Sequence, residues 1–413
     1  MRVLVVSSKY PPEYAGSGLR AHNTYKRLAR KFGVKFDVIT GGVTSNYSRR
    51  YVIEGVPVKV ISNKNPKEFE QVVANTKLTR LVKRIQGRVY QQRNYWFEAL
   101  PMFAYLLQNG SKYDVIHVFG NNAVTSAAIS YSKMTGKPIV VEVVNLTDDP
   151  HQYEPWPISS VWGRGFAAHT MVVCLSQYLR KVCLKYGYVD QQIWCRSNPV
   201  DERKFYFELE RKKTYRSKLF DSNDSSFLIL HLAKFMPRKR QLFMVEVMPY
   251  LPENYRLILV GPLVDSGPFM ERDRTYFRSI LDAIKLRDLE DRVQVIPEFL
   301  EHPEEFIKAS DVFVLPSVGE AFGTPFLEAL ACGVPVVTSD IPGVFDQWIK
   351  PGVNGYICQF DSEQWAEKIQ MACRMDADTL RQGSEDVLHA ASTEVIDREY
   401  YTRLVSTVAG DPT

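Results

Sequence analysis

Hydrophobic positions along this chain fall into short continuous runs. RVLVVSS (2–8), FDVIT (36–40), DVIHVF (114–119), PIVVEVV (138–144) and MVVCLS (171–176) lie in the first half. FLILHLA (227–233), RLILVG (256–261), RVQVIP (292–297), DVFVLPS (311–317) and VPVVTS (334–339) lie in the second. Each run is followed by a stretch of helical periodicity. Continuous Val/Ile runs of this length read as strands buried on both faces, and strands alternating with helices build parallel sheets. Two such sets predict an α/β chain of two doubly wound, Rossmann-like domains. Asn198-Pro199, inside RSNPVDERKF (196–205), breaks regular structure. The first domain is therefore placed at 1–198 and the second at 199–391. The last segment, STEVIDREYYTRLVSTV (392–408), reads as a helix late enough to cross back, so 392–413 is assigned to the first domain. Open α/β sheets bind ligands at the carboxyl ends of their strands. Two such domains facing each other would make an interdomain cleft.

The length of 413 residues suits two domains. No apolar run approaches a membrane-spanning helix, and MRVLVVSS reads as a first strand, too short for a signal peptide. The six cysteines (174, 183, 195, 332, 358, 373) form no CxxC pair. They read as reduced core residues of a cytoplasmic protein. Charge changes the picture more. Residues 1–200 carry 27 Lys/Arg against 12 Asp/Glu, whereas 201–413 carry 25 against 35. The basic half points at something anionic, such as a phospholipid surface or a pyrophosphate-linked acceptor. Nucleic acid is not expected, because no recognised reading module accompanies the charge.

The densest chemistry lies in GEAFGTPFLEALACGVPVV (319–337). Thr324 suits an N-cap and Pro325 the first helical position. Phe326 to Cys332 read as a short helix that Gly333 stops. Glu328 lies four residues after Thr324, on the same helical face. Glu320 sits in the loop before. Two carboxylates thus converge on a helix start whose N–H groups and dipole favour an anion. A ligand with phosphate in the middle and hydroxyl-rich sugars at both ends would satisfy all of these groups. The plainer alternative is two solvated glutamates flanking a surface helix.

Two further loops follow strands. In SKYPPEYAGSGLRAHN (8–23), Gly16 and Gly18 precede a helix, where small residues let backbone N–H groups approach a phosphate. The third glycine of a dinucleotide fingerprint is missing. In LHLAKFMPRKRQ (230–241), Lys234 and Lys239 bracket a loop at a strand end, placed to neutralise a diphosphate.

These residues together resemble the retaining GT-B glycosyltransferases of family 4 (glycosyl transferases group 1). Glu320 and Glu328 have the spacing of that family's E-x7-E motif, and KFMPRKR resembles its phosphate loop GRLxxxKG. DVFVLPS, NPVDERKF and KPGVNGYI stand in the expected order, and YPPEYAGSG resembles its first-domain glycine loop. The likeness runs over about residues 1 to 370 and is most specific in the second half. It implies that the donor is a nucleotide sugar, UDP- or GDP-linked, and that no metal is needed. Glu320 would contact the donor sugar's hydroxyls, and Glu328 the ribose hydroxyls. Lys234 and Lys239 would hold the diphosphate. The backbone around Ala321, Phe322, Gly323 and Thr324 would line sugar and phosphate, Pro297 would flank the base, and Gly16 and Gly18 would close over the phosphates. Catalysis would fall to Glu320, Lys239 and Lys234, with the leaving phosphate taking the acceptor's proton and no protein nucleophile.

The chain departs from that pattern twice. Lys234 stands where the family has arginine, which keeps charge but loses the bidentate fork. The family's histidine after the fourth strand is replaced by Val144 or Asn145, and Asn145, Asp148 or Asp149 would fill its space. His117 is either a further pocket residue or a core histidine satisfied by hydrogen bonds. Residues 76–98, TKLTRLVKRIQGRVYQQRNYWFE, form a basic amphipathic segment with Tyr90, Tyr95 and Trp96 at its end. That combination suits an interfacial helix on anionic lipid, or a stripe packed on the sheet with its basic face in water. The reading is a cytoplasmic, peripherally membrane-associated transferase acting on an anionic or lipid-linked glycan in polysaccharide assembly. Its rivals are a sugar-nucleotide epimerase of the same fold and a catalytically silent nucleotide-sugar-binding subunit of a membrane complex.

Overall fold

The computed structural model describes residues 1–13, 16–41, 50–61, 93–120, 122–143, 170–185, 188–210, 212–219, 226–263 and 269–410. The chain divides into two compact units, Met1–Arg196 with Asp397–Thr413, and Ser197–Ile396.

The first unit holds an eight-stranded sheet of β1 (Arg2–Ser7), β2 (Lys35–Thr40), β3 (Arg50–Ile53), β4 (Val56–Val60), β5 (Val115–Phe119), β6 (Ile139–Val143), β7 (Thr170–Cys174) and β8 (Ile193–Cys195). Their spatial order is β3-β4-β2-β1-β5-β6-β7-β8. All neighbours run parallel except β3 and β4. That pair is a hairpin turned by Glu54 (φ 47°) and Gly55 (φ 81°), the two positive φ values of a tight two-residue turn. It lay outside the expected strands because RYVI and VPVKV offer no continuous apolar run and Pro57 interrupts the second. On one face, Leu4, Val6, Ile116 and Val118 pack against Met102 and Leu106 of helix Arg93–Asn109 and Val124 and Ala128 of helix Ala123–Thr135.

The final helix spans Thr393–Ala409. From Asp397 onward it belongs to the first unit. Asp397 accepts from Arg27 Nε at 2.8 Å, and Tyr401 stacks on Phe32 with ring centres 4.6 Å apart. Tyr400 donates to Glu142, a fully buried carboxylate at the end of β6 that also accepts from Arg196 Nη2 at 2.8 Å. Burial alone would raise the Glu142 pKa, but the Arg20 and Arg196 guanidiniums outweigh it and hold the group low.

The second unit holds β9 (Phe227–Leu232), β10 (Tyr255–Val260), β11 (Val293–Ile296), β12 (Val312–Leu315), β13 (Val336–Ser339) and β14 (Gly355–Cys358). The order is β11-β10-β9-β12-β13-β14, parallel throughout. The chain starts at the centre, winds out to β11, returns to β12 beside β9, and winds out the other way. Ile229, Leu257, Val312 and Val314 pack one face of this sheet against Phe243, Ile280 and Trp365 from three helices. Direction reverses between β9 and β12, so the loops leaving those two neighbours diverge. That switch point is where doubly wound sheets open a crevice for ligands. The corresponding reversal in the first unit lies between β1 and β5.

Candidate active site

The two loops that carry the candidate charges leave the second unit's switch point. The first follows β9. Gln241 Nε2 donates to Lys234 O at 3.0 Å, fixing the backbone there. Gly261, just past β10, has to be glycine: a Cβ would stand 2.1 Å from Ala233 O. The short turn Pro237–Lys239 ends at Arg240, a non-glycine residue at φ 53°. Its guanidinium lies 4.1 Å above the Phe360 ring, a cation–π contact that offsets part of the cost of a left-handed backbone. The Lys234 ammonium stands 3.4 Å from Asp273 Oδ2. Asp273 is buried, and its Oδ1 accepts from Arg272 Nε at 2.9 Å and Nη2 at 2.7 Å.

The second loop follows β12 and is laced to the first. Val318 N donates to Arg238 O at 3.0 Å, and Arg238 Nη1 donates to Gly319 O. Glu320 is only 4% exposed. Its Oε1 pairs with the Lys239 ammonium and accepts from Ser317 Oγ at 2.6 Å, while Arg238 Nη1 lies 3.3 Å from Oε2. Burial would raise its pKa, but Lys239 and Arg238 overcome that and lower it. His231, near the end of β9, is fully buried, and among the described residues neither ring nitrogen has a hydrogen-bond partner. Burial, helped by the Lys239 charge, drops its pKa to about 3, so the ring is neutral.

The helix that follows spans Thr324–Ala331 and corrects the expected cap. Gly323, at φ 85°, occupies the N-cap position, and its Cβ would stand 3.1 Å from the Leu315 side chain. Thr324 is already helical, and its Oγ1 accepts from Asn198 Nδ2 at 2.7 Å. Pro325 is thus the second helical residue. Gly333, at φ 70°, ends the helix as expected. Phe322 is buried against Phe326 and Trp348, so its side chain anchors the loop. Ala321 and Gly323 are half-buried.

Glu328 has surroundings distinct from those of Glu320. It is half-buried, and among the described residues no group hydrogen-bonds its carboxyl. Burial and then the charge of Glu304, partly opposed by Lys204, push its pKa up to about 7. Pro297 lies exposed just past β11, at the edge of the sheet.

In the first unit, Gly16 and Gly18 lie within the first turn of helix Gly16–Phe32, where the sequence placed them just before it. They differ in reason. A Cβ at Gly18 would stand 2.4 Å from Lys9 O, whereas one at Gly16 would meet nothing within 4 Å. Sequence reasoning missed the partner loop after β5. There Gly120, at φ 76°, comes so close that a Cβ would stand 2.2 Å from Ser8 Oγ, and Asn122 Nδ2 donates to Ser8 O at 3.1 Å. A glycine immediately after the apolar run DVIHVF was the available signal. Arg238, Ser317, Gln241 and Asp273 were also missed, since no motif names them.

The pocket reading of His117 is corrected. Its side chain is fully buried, pairs with Tyr25 Oη through Nδ1 at 2.6 Å, and packs against Phe119 at 4.2 Å. It points into the core because β5 is a central strand buried on both faces. Asn145, Asp148 and Val144 lie outside the described residues. So does the basic segment up to residue 92, and of 93–98 only the helical backbone is described. All six cysteines are free. Among the described residues no helix is long and apolar enough to cross a membrane.

Comparison with known proteins bears on both units. Residues 213–384 match the family described as Glycosyl transferases group 1, and residues 16–204 match Glycosyltransferase Family 4. The chain is 28% identical over 244 residues to an Escherichia coli protein named UDP-Gal:alpha-D-GlcNAc-diphosphoundecaprenol alpha-1,3-galactosyltransferase, covering 58% of this chain and 61% of that one. It is 25% identical over 354 residues to the N-acetyl-alpha-D-glucosaminyl L-malate synthase of Bacillus anthracis, covering 84% and 81%. Among solved structures, Anabaena HepE in complex with UDP superposes with a TM-score of 0.76 at 18% identity, covering 98% of this chain and 100% of that one. That likeness shows the GT-B fold. With a family match on each unit, the chain belongs to glycosyltransferase family 4.

Proposed function

We propose that the chain transfers a sugar from a nucleotide-diphosphate donor to a hydroxyl of a lipid-linked or other anionic glycan, with retention at the anomeric carbon and without a metal. The observation that supports this reading is the ion pair of Lys239 with Glu320 across the two loops that leave one switch point, with Lys234 on the first loop and Glu328 on the helix after the second. Lys234 and Lys239 would take the diphosphate and stabilise its charge as the glycosidic bond breaks. Glu320 would orient the sugar's hydroxyls. Glu328, without a hydrogen-bond partner among the described residues, would accept from the ribose hydroxyls. The backbone of Ala321, Phe322, Gly323 and Thr324 would line sugar and phosphate, and Pro297 would flank the base.

Glu320 is committed to Lys239, Arg238 and Ser317, which makes it a poor nucleophile. A double displacement through it is therefore disfavoured. In the alternative, the acceptor attacks the face the leaving group departs from, and a phosphate oxygen takes its proton. A uridine donor is favoured by two comparisons: the Escherichia coli relative is named for UDP-Gal, and HepE has been crystallised with UDP-glucose. The same relative's diphosphoundecaprenol acceptor supports a lipid-linked substrate here. The basic segment 76–98 would hold the enzyme at the cytoplasmic face of the membrane.

A thermal-shift panel of UDP, GDP, ADP, CMP and dTDP on wild type and Glu328→Ala tests the donor site. One nucleotide should raise the Tm of the wild type by mass action, and Glu328→Ala should lose most of that rise. No shift by any nucleotide at millimolar concentration, or an undiminished shift in the variant, would sink the reading.

A further inference from the structure

We infer that Arg238 is a positioning residue that takes over the neutralisation of Glu320 when Lys239 turns to the donor's diphosphate. The inference rests on the donor-site reading above. By that reading the single charge of Lys239 has two anionic claimants. One is Glu320, which it pairs with in this structure, and the other is the diphosphate. Glu320 is 4% exposed, so water cannot take over its charge, and a buried carboxylate stripped of its cation is strongly destabilised.

Among the described residues the surroundings leave one replacement. Ser317 Oγ stays on Oε1 but is neutral. Lys234 is engaged by Asp273. His231, which feels the Lys239 charge, is buried and uncharged. Arg238 already stands 3.3 Å from Oε2. Its position does not depend on Lys239. Nη1 donates to Gly319 O, and the residue's own carbonyl accepts from Val318 N at 3.0 Å. The rest of the guanidinium fork leaves it donors with which to close on the carboxylate. Its side chain is 39% exposed, so it has room to move. Removing the Arg238 charge should therefore weaken the donor-bound protein more than the ligand-free one.

The test uses the full chain carrying Arg238→Gln or Arg238→Lys. Melting temperature is measured without ligand, and calorimetry gives Kd for UDP and for uridine (GDP and guanosine if the panel selects guanine). Arg238→Gln should melt within about 2 °C of wild type, since Lys239 still pairs with Glu320. It should bind the diphosphate at least about tenfold more weakly, yet bind the bare nucleoside as wild type does, because only phosphate draws Lys239 away. Arg238→Lys should recover most of the loss. If diphosphate and nucleoside weaken equally, or if Arg238→Lys behaves like Arg238→Gln, Arg238 is a loop brace and the inference is overturned. An unchanged UDP Kd in Arg238→Gln also overturns it, while leaving the donor site standing. A wild type that binds no nucleotide removes the donor-site reading itself.

Discussion

Glu328 allows a pH experiment in which stability and binding move in opposite directions. Its carboxyl is half-buried beside Glu304, and its pKa is raised from 4.5 to about 7. Between those two values the folded protein holds a proton that the unfolded chain has released. Stability from this group is therefore fully present below about pH 4.5 and is lost as pH rises through about 7. At about 1.4 kcal/mol per pH unit the displacement corresponds to about 3 kcal/mol, which solvent reaching a half-buried group trims to about 2. For a unit of this size that is about 4–8 °C in Tm. Glu328→Gln keeps the shape and removes the titration. It should melt several degrees above wild type at pH 8, and the two curves should converge near pH 5. Binding runs the other way. If the carboxylate accepts from two ribose hydroxyls, wild-type affinity for the donor nucleotide should fall as pH drops below about 7, whereas Glu328→Gln should bind about 10- to 100-fold more weakly and show little pH dependence. Groups distant from Glu328 titrate in both proteins and cancel in the difference. Melting curves that stay parallel from pH 5 to 8.5, or a glutamine variant that binds like wild type at pH 8, would refute the assignment.

Other consequences can be measured directly. Lys239→Met leaves buried Glu320 with Arg238 as its remaining cation. Since Arg238 can close on the carboxylate, the substitution should lower stability by no more than about 1 kcal/mol in a urea melt, whereas Lys239→Met combined with Arg238→Gln should cost about 3 kcal/mol, which adding Glu320→Gln restores without activity. Gly18→Ala should lower Tm by several degrees because its Cβ would meet Lys9 O at 2.4 Å. Gly16→Ala, which meets nothing, should leave Tm unchanged, so a loss of turnover there would mark close backbone approach by a ligand. Transfer activity should survive exhaustive EDTA treatment, and loss that added magnesium or manganese restores would rule out a lysine-stabilised leaving group acting alone.

The central strands were legible because their neighbours cover them on both faces, so apolar character runs unbroken. RVLVVSS and FLILHLA announce β1 and β9 without any knowledge of the partners. The edge elements carry no such mark. The β3–β4 hairpin is specified by a Glu54-Gly55 turn and by the alternation of buried Val56, Val58 and Val60 with exposed or half-buried neighbours, and β8 is only three residues long. The cap before Thr324 was misread for a related reason. A threonine has the chemistry of an N-cap, but Leu315 packs against the Cα of Gly323, and Asn198 claims the Thr324 hydroxyl. Neither contact is local in sequence. His117 shows the same limit: its position in a strand was readable, but Tyr25, which takes its Nδ1, is 92 residues away.

At the site, the charges were readable and their partners were not. The lysines were visible as ends of a basic loop and the glutamates by their spacing. That Lys239 and Glu320 pair follows only once β9 and β12 lie side by side with their loops crossing. The same topology bears on the chain's departure from the family pattern at Lys234. An arginine in that position would orient itself on phosphate through its planar fork; a lysine is a point charge on a flexible stem and needs external positioning. Here Asp273, buried and held by Arg272, stands 3.4 Å from the ammonium, while Gln241 pins the backbone at the same residue. Substituting Asp273 should therefore cost a lysine-bearing chain more than one in which Lys234→Arg has restored the fork. The departure and the buried aspartate are best understood as one arrangement.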